Sequence, residues 1–550
     1  METIILTLDN GTKKEYIKGV KFKEVLESLK DEYPNDVVFA KYNSRIVSDE
    51  ETFTKNGKLS LYDLNTMQGN KAYERGLLYL FETCASEVLG KETQIYVKYS
   101  IDKGIFCKID KPLTTDDVSK IKKLMKEKVK EELPFTKIET TKEEAIAYFK
   151  SLNREDKVKT LFYNTSNYIS LYKLEDKYNY IIGNMPNNTR VLKYFDLSLI
   201  KNKGIVVRSP SIYDDYKIIK YTHHEHYFNS LEEYSKWGNN LNISNLGELN
   251  DYITHNNAGD IIQLSEITQD YKLLNIAEEI VLNKENYKII LLSGPSSSGK
   301  TTTSKKLSLY LKSFGLNPTH LSLDDYFHER DETPLGPNGK PDFESLQAID
   351  VKLFDNQISK MLKGTKVTLP TFNFVEGKKE YKRTVQLKEN DILIIEGLHA
   401  LNDELLTNIP KKQKFKIYLS PLTYLSIDND NRISMTDLRL LRRMVRDNRT
   451  RGYNPSKTLN TWRDVRDGEE KHVFPFQDSA DVMFNTSLAY ELAVLKSYAE
   501  PLLFTIERDD PEYETARRLL SLLENVLPIP SETVPKVSIL REFIGGSYFE

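Results

Sequence analysis

The stretch Leu291–Thr303, Leu-Leu-Ser-Gly-Pro-Ser-Ser-Ser-Gly-Lys-Thr-Thr-Thr, limits the fold more than any other part of the chain. An apolar run, Tyr287–Leu292, leads into it, and Ile289, Ile290, Leu291 and Leu292 suit a strand buried in a parallel sheet. A helical pattern follows over Lys300–Phe314 and is closed by Gly315. Gly294, Gly299, Lys300 and Thr301 fit G-x-x-x-x-G-K-[ST] in the strand–turn–helix setting that this pattern requires. Glycines let the backbone wrap a phosphate chain, and loop amides at a helix N-terminus supply positive potential. Lys300 is expected to reach the β/γ-phosphates, and Thr301 to offer its hydroxyl to Mg²⁺. Gly294, Pro295, Ser296, Ser297, Ser298, Gly299, Lys300, Thr301 and Thr302 are therefore the expected cradle for a nucleoside triphosphate, ATP.

At 550 residues the chain is too long for one ordinary core, so three or more domains are expected. A formal net charge of −3 argues against a globally basic nucleic-acid binder, although a local patch remains compatible with it. Cys84 and Cys107 are too few for a disulfide framework or a cysteine-rich zinc site. No apolar stretch reaches membrane-spanning length, and Met1–Asp9 alternates like a strand and lacks a signal pattern. A cytoplasmic protein is expected.

Thr3–Leu8 alternates apolar and polar residues and ends in an Asn10-Gly11 turn. Phe22, Val25, Leu26 and Leu29 recur at helical spacing, and Val37–Tyr42 and Lys58–Leu61 read as strands. This small β-grasp pattern resembles the TGS domain at the front of threonyl-tRNA synthetases. An amphipathic helix over Asn70–Gly90, strands Gln94–Ile101 and Gly104–Ile109, and helices Thr114–Glu131 and Lys142–Leu152 come next. Their order resembles the additional domain that follows TGS in those synthetases. That resemblance implies an editing site with two helix histidines. Residues 1–222 contain no histidine, and Tyr73 and Leu77 stand near the pair's place, so editing chemistry is expected to be absent. His223, His224 and His226 form a cluster; on a strand His224 and His226 would share a face, but a polar strand end near a domain boundary is the favoured reading.

Beyond the phosphate loop, helical and strand patterns alternate, which implies an α/β fold with a parallel sheet and helices on both faces. His320–Leu323 reads as the second strand and delivers Asp324 and Asp325 at its carboxyl end, where ligands bind in open parallel sheets. A carboxylate there can take the proton of an acceptor hydroxyl. Asp391–Glu396 reads as a third core strand, and its terminal acid suits Mg²⁺ or the water around it. Arg432, Arg439, Arg442, Arg443, Arg446, Arg449 and Arg451 crowd twenty residues. On a helix Arg439, Arg442, Arg446 and Arg449 share a face, which suggests a lid over a phosphoryl group.

Residues of about 286–525 resemble the uridine kinase and phosphoribulokinase family of P-loop kinases. The carrying motifs are Gly-Pro-Ser-Ser-Ser-Gly-Lys-Thr at 294–301, Leu-Asp-Asp-Tyr-Phe at 323–327 and Asp-Phe-Glu-Ser-Leu-Gln-Ala-Ile-Asp at 342–350. Leu-Pro-Thr-Phe-Asn-Phe at 369–374, Ile-Glu-Gly-Leu-His-Ala-Leu at 395–401 and Arg-Leu-Leu-Arg-Arg-Met-Val-Arg-Asp at 439–447 complete the set. The resemblance implies a catalytic group of Asp324 (the base), Lys300, Arg442 and Arg446. It implies acceptor contacts from Asp324, Tyr326, Glu344, Phe372, Phe374, Arg439 and Arg443, with Thr301 and Glu396 on Mg²⁺. Gly377 stands where the family has a base-reading histidine, so pyrimidine recognition lacks an expected anchor.

The expected organisation is a TGS-like β-grasp domain at 1–64, an α+β domain at 65–225, a helical connector at 226–284, a P-loop kinase domain at 285–528 and a C-terminal tail at 529–550. The expected function is an ATP-dependent kinase of a small-molecule hydroxyl, a nucleoside 5′-hydroxyl above all. A sugar-phosphate kinase and an RNA-associated ATP-binding switch, with RNA contacted by the front region, are the alternatives. No Asn-Lys-x-Asp motif supports a GTPase. The oligomeric state is left open, a homo-oligomer included.

Overall fold

A computed structural model of the chain describes residues 2–33, 36–255, 258–335, 339, 342–373 and 376–550. The N-terminal body is a five-stranded sheet in which Thr3–Leu8 pairs antiparallel with Lys13–Ile17 and parallel with Gly57–Asp63. Helix Phe22–Ser28 buries Phe22 and Val25 against it, the β-grasp arrangement that the sequence pattern suggests.

The second body is built on α1, Met67–Leu89, capped by Thr66, whose side chain accepts from Gly69 N. It packs with an antiparallel sheet of strands Asp196–Ile200, Gly204–Arg208, Gly104–Ile109 and Ile95–Ile101. Tyr73 and Leu77 are core residues here, and the Tyr73 hydroxyl donates to Tyr194 O at 2.8 Å.

The strand reading around the histidine cluster gives way to a helix start. His224 is the N-cap of a helix over Glu225–Asn240, with one ring nitrogen on Asp478 and the other 3.4 Å from Asp102. Residues 225–282 then form three helices, Glu225–Asn240, Leu246–His255 and Ala258–Leu282, the last two lying partly in the core of the C-terminal body.

That body is a five-stranded parallel sheet of β1 (Ile289–Ser293), β2 (Asn317–Ser322), β3 (Asp391–Glu396), β4 (Lys414–Ser420) and β5 (Val482–Asn485), in the order β2-β3-β1-β4-β5. All five residues of β1 are buried, with Ile290 and Leu292 in one hydrophobic cluster and Ile289 and Leu291 in another. That is why its sequence is continuously apolar instead of alternating. The helix after the phosphate loop is α2, Lys300–Ser313, and the arginine-rich segment is α3, Met435–Arg451. Residues 529–550, expected as a C-terminal tail, pack into this body. Ile539, Leu540, Phe543 and Ile544 are buried in the same cluster as Leu441 and Met444 of α3.

Candidate active site

The chain turns sharply between β1 and α2, and the turn depends on two unusual backbone positions, Ser297 at φ +59° and Gly299 at φ +85°. A Cβ on Gly294 would lie 2.2 Å from Leu419 O, so only glycine lets the loop lie this close to β4. Lys300 folds back over the loop, its Nζ donating to Gly294 O at 2.9 Å and Pro295 O at 3.2 Å. Thr301 Oγ1 donates to Glu396 Oε1 at 3.2 Å, which joins the loop to the end of β3. A hydroxyl beside a carboxylate is a hard oxygen donor pair that fits Mg²⁺, whose remaining positions go to water and phosphate oxygens. The buried hydroxyls of Ser297 and Ser298 have no hydrogen-bond partner among the described residues.

Strand β2 stops at Ser322, one residue earlier than its pattern suggests, and Leu323–Tyr326 forms a 3₁₀ turn. Ser322 Oγ caps that turn on Asp324 N at 3.3 Å. The turn separates two neighbouring acids. Asp324 is exposed, whereas Asp325 accepts from Phe372 N at 3.2 Å and braces the hairpin of Val367–Asn373 and Lys378–Val385. Tyr326 differs from its expected place on the acceptor. It is a core residue whose hydroxyl donates to Gln357 Oε1 at 2.9 Å, because the 3₁₀ turn carries its ring inward.

Lys300, Asp324, Glu344 and Glu396 form one electrostatic unit. Burial lowers the Lys300 pKa, and the charges of Glu396 and Asp324 oppose that fall. Burial raises Asp324, with Lys300 working against the rise. Glu396 is pushed up to about 7 by burial and then by the Asp324 charge. Glu344 also rises to about 7, through burial and then the charge of Glu469. Gly468 makes room for Glu344, since a Cβ there would lie 2.7 Å from Glu344 Cβ. Phe372 meets Phe327 edge to face, with ring centroids 5.9 Å apart. Phe374 lies outside the described residues.

The α3 arginines split into two groups. Arg439 and Arg442 point inward and do not form an open lid face, since packing of α3 against the body buries that side. Arg439 is paired with Glu469 and donates to Ser296 O at 3.2 Å, and Arg442 is paired with Glu491 and donates to Ser297 O at 3.3 Å. Both brace the phosphate loop from behind. Arg443 reaches the loop from its open side, donating to Ser296 Oγ at 2.7 Å. Arg446 is 2.8 Å from Asp447 Oδ1.

Sequence reasoning missed Glu469, which accepts from Ser296 N at 2.7 Å and also holds Arg439 and Arg466. It lies in a helix, Trp462–His472, outside every motif, so no local signal marks it.

Residues 289–492 match the model of the Phosphoribulokinase / Uridine kinase family. The C-terminal body carries a domain of that family. A uridine kinase of Staphylococcus epidermidis is 26% identical over 207 residues, which span 38% of this chain and 91% of that protein. A solved structure described as a possible uridine kinase from Bacillus stearothermophilus covers 39% of this chain and 98% of its own, with 21% identity and a TM-score of 0.25. The N-terminal region is similar to the threonine–tRNA ligase of Caldanaerobacter subterraneus subsp. tengcongensis, 26% identical over 163 residues. That match covers 29% of this chain and 25% of the ligase, so the chain spans about a quarter of that relative's length. Within the kinase-family domain, five of the six motifs fall wholly among described residues, and Phe374 ends the sixth.

Proposed function

We propose that this chain is an ATP-dependent kinase that phosphorylates a hydroxyl of a small molecule, with a nucleoside 5′-hydroxyl as the acceptor best matched by its motifs. The observation that supports this most is the placement of Asp324. An exposed carboxylate just past the end of β2 shares one electrostatic unit with Lys300 of the phosphate loop, at the carboxyl ends of parallel strands.

In this reading the loop from Gly294 to Thr302 holds the ATP phosphates. Asp324 orients the acceptor hydroxyl and takes its proton as the oxygen–γ-phosphorus bond forms and the bond to the β-phosphate oxygen breaks. Lys300 and Arg443 hold negative charge on the transferring group. Mg²⁺ would be held by Thr301 and Glu396, and it would supply charge neutralisation for the phosphates. Glu344 suits the acceptor's hydroxyls, and Phe327 with Phe372 form an apolar wall for a ring. Gly377 cannot replace a base-reading histidine. Its φ of +70° turns the hairpin, and its carbonyl accepts from Arg330 N at 3.0 Å.

A panel of nucleosides and sugar phosphates, assayed for ATP consumption and phosphorylated product, tests the proposal. A phosphorylated nucleoside supports it; ATP turnover with sugar phosphates alone moves the acceptor to that class. No transfer to any acceptor leaves a nucleotide-binding switch as the better reading.

One observation favours RNA contact by the front region. A cleft of about 780 Å³ between the three bodies is lined by Lys41, Arg45, Lys71, Arg75, Lys137 and Arg517, against the acids Glu139, Glu514 and Glu524. Salt-sensitive filter binding of tRNA to the full chain, weakened by Arg75→Ala and Lys137→Ala together, is the test.

A further inference from the structure

The C-terminal segment places a carboxylate on the phosphate loop. Thr302 is the last residue of the expected cradle, and both of its donors are taken by Glu542 Oε2. The amide is 3.1 Å away and the hydroxyl 2.8 Å. A carboxylate oxygen and a phosphate oxygen are the same kind of partner for such donors: anionic acceptors drawn to the positive end of a helix. They cannot occupy one amide together, because like charges at that distance repel.

The main chain carrying Glu542 is firmly held. It belongs to a short helix, α4, Arg541–Ile544, whose Phe543 is fully buried beneath the Arg442 guanidinium, 5.0 Å from the ring centroid. Ile539 rests on the loop itself, and a Cβ on Gly299 would lie 2.5 Å from its Cγ2. Arg449 donates to Glu542 O at 3.2 Å and Phe543 O at 3.3 Å and pairs with Glu550 at 2.6 Å. Lys305 Nζ donates to Phe549 O at 2.9 Å. The Glu542 carboxylate is held differently. Among the described residues no lysine, arginine or histidine forms an ion pair with it, so its hydrogen bonds from Thr302 are what fix it.

We propose that Glu542 is a built-in competitor for nucleotide: its carboxylate takes the Thr302 donors that a phosphate would use and must rotate away for ATP to bind. This rests on the reading of 294–302 as an ATP site. In the empty state the carboxylate satisfies an amide that the helix cannot and offsets the positive charge of the loop. On binding, that stabilisation is lost, so nucleotide affinity is lower than the loop alone would give. The clamped main chain stays in place, and only the side chain moves.

The experiment measures MgADP and MgATP binding to the full chain by calorimetry, for the wild type, Glu542→Gln and Glu542→Ala, with Lys300→Ala as a control. Charge-assisted hydrogen bonds are roughly twice as strong as neutral ones, so Glu542→Gln should bind about tenfold tighter, and Glu542→Ala at least as tightly. The KM for ATP should fall with kcat little changed. Thermal unfolding should show the nucleotide-free variants less stable than wild type, and the difference should vanish at saturating nucleotide. Equal or weaker binding by folded Glu542→Gln would overturn the proposal, leaving Glu542 as a helix cap alone. If wild type and Lys300→Ala bind nucleotide alike, the phosphate-loop reading itself falls, and the competitor falls with it.

Discussion

Two clusters of charge in this chain differ in how far their charges are matched. At the junction of the second body with the C-terminal body, Lys157 lies 3.1 Å from both Asp428 and Asp430, and Arg154 pairs with Asp156 and Asp430. Lys157 and Asp428 are fully buried, and Asn431 adds hydrogen bonds to Asp428. At the carboxyl end of the parallel sheet, Asp324, Glu344, Glu396 and Lys300 also share a site, but this group sets one cation against three acids, and the Lys300 Nζ bonds to loop carbonyls. The first cluster is closed: each ion has an opposite partner. It holds Asp430 well below the usual carboxylate range despite burial, through Arg154 and Lys157, although burial still raises Asp428. The second is left short of positive charge, and its acids drift upward. In the proposed reading Mg²⁺ and phosphate would enter the second cluster and complete its charge, whereas a joint between domains has to be matched by its own residues.

That contrast can be broken most sharply at its two centres. Asp324→Asn should lower phosphoryl transfer by about 10²–10⁴-fold and leave nucleotide binding nearly intact, as read by single-turnover transfer beside calorimetry. A fall in ATP affinity with unchanged transfer per bound ATP would make Asp324 a metal or structural ligand instead. Lys157→Met should act on stability and not on chemistry. It strands buried Asp428 and leaves Asp430 to Arg154 alone, a loss of about 3–5 kcal/mol in urea unfolding, while the transfer rate per folded molecule holds.

A pH series sharpens the comparison further. Glu344 and Glu396 have folded pKa values of about 7, above the ordinary 4.5. Between those values the folded form binds more protons than the unfolded chain, so their contribution to stability falls as pH rises from about 4.5 to 7. Glu344→Gln and Glu396→Gln should each flatten the nucleotide-free stability profile across that window, and saturating MgATP should flatten the wild-type profile too. Asp430 is expected to contribute the opposite slope at acid pH, since its folded pKa is depressed and its stabilisation disappears as pH falls. The smallest effect belongs to Tyr326→Phe. Losing the bond to Gln357 should cost about 1 kcal/mol of stability with no change in acceptor KM, because the ring is in the core.

Much of the site is legible in the order of the residues, for local reasons. The loop motif states its own geometry, because the glycine and lysine spacing works in one strand–turn–helix setting, and β1, α2 and β3 fall where their patterns put them. Glu396 at the end of a buried run and Asp324 at the end of β2 follow from the rule that such sheets bind ligands at strand carboxyl ends. The arginines are legible only as a helix. Periodicity gives a face to Arg439 and Arg442, but it cannot say that the face is turned inward onto Glu469 and Glu491. Tyr326 fails for a similar reason, since a 3₁₀ turn rotates the residue after Asp325 in a way that no strand or helix period describes.

By itself, the sequence determined the phosphate loop, the sheet that carries it, the β-grasp front and the chemistry offered by Lys300, Thr301, Asp324 and Glu396. These are consequences of short-range spacing, where backbone conformation and side-chain type act within a few residues. Tertiary structure alone decided which charges are matched. Glu469 finds Ser296, Lys157 finds Asp428 and Glu542 finds Thr302 across 173, 271 and 240 positions of chain. An ion pair or a capping carboxylate depends on distance in space and on exclusion of water, and neither quantity is written in the order of the residues.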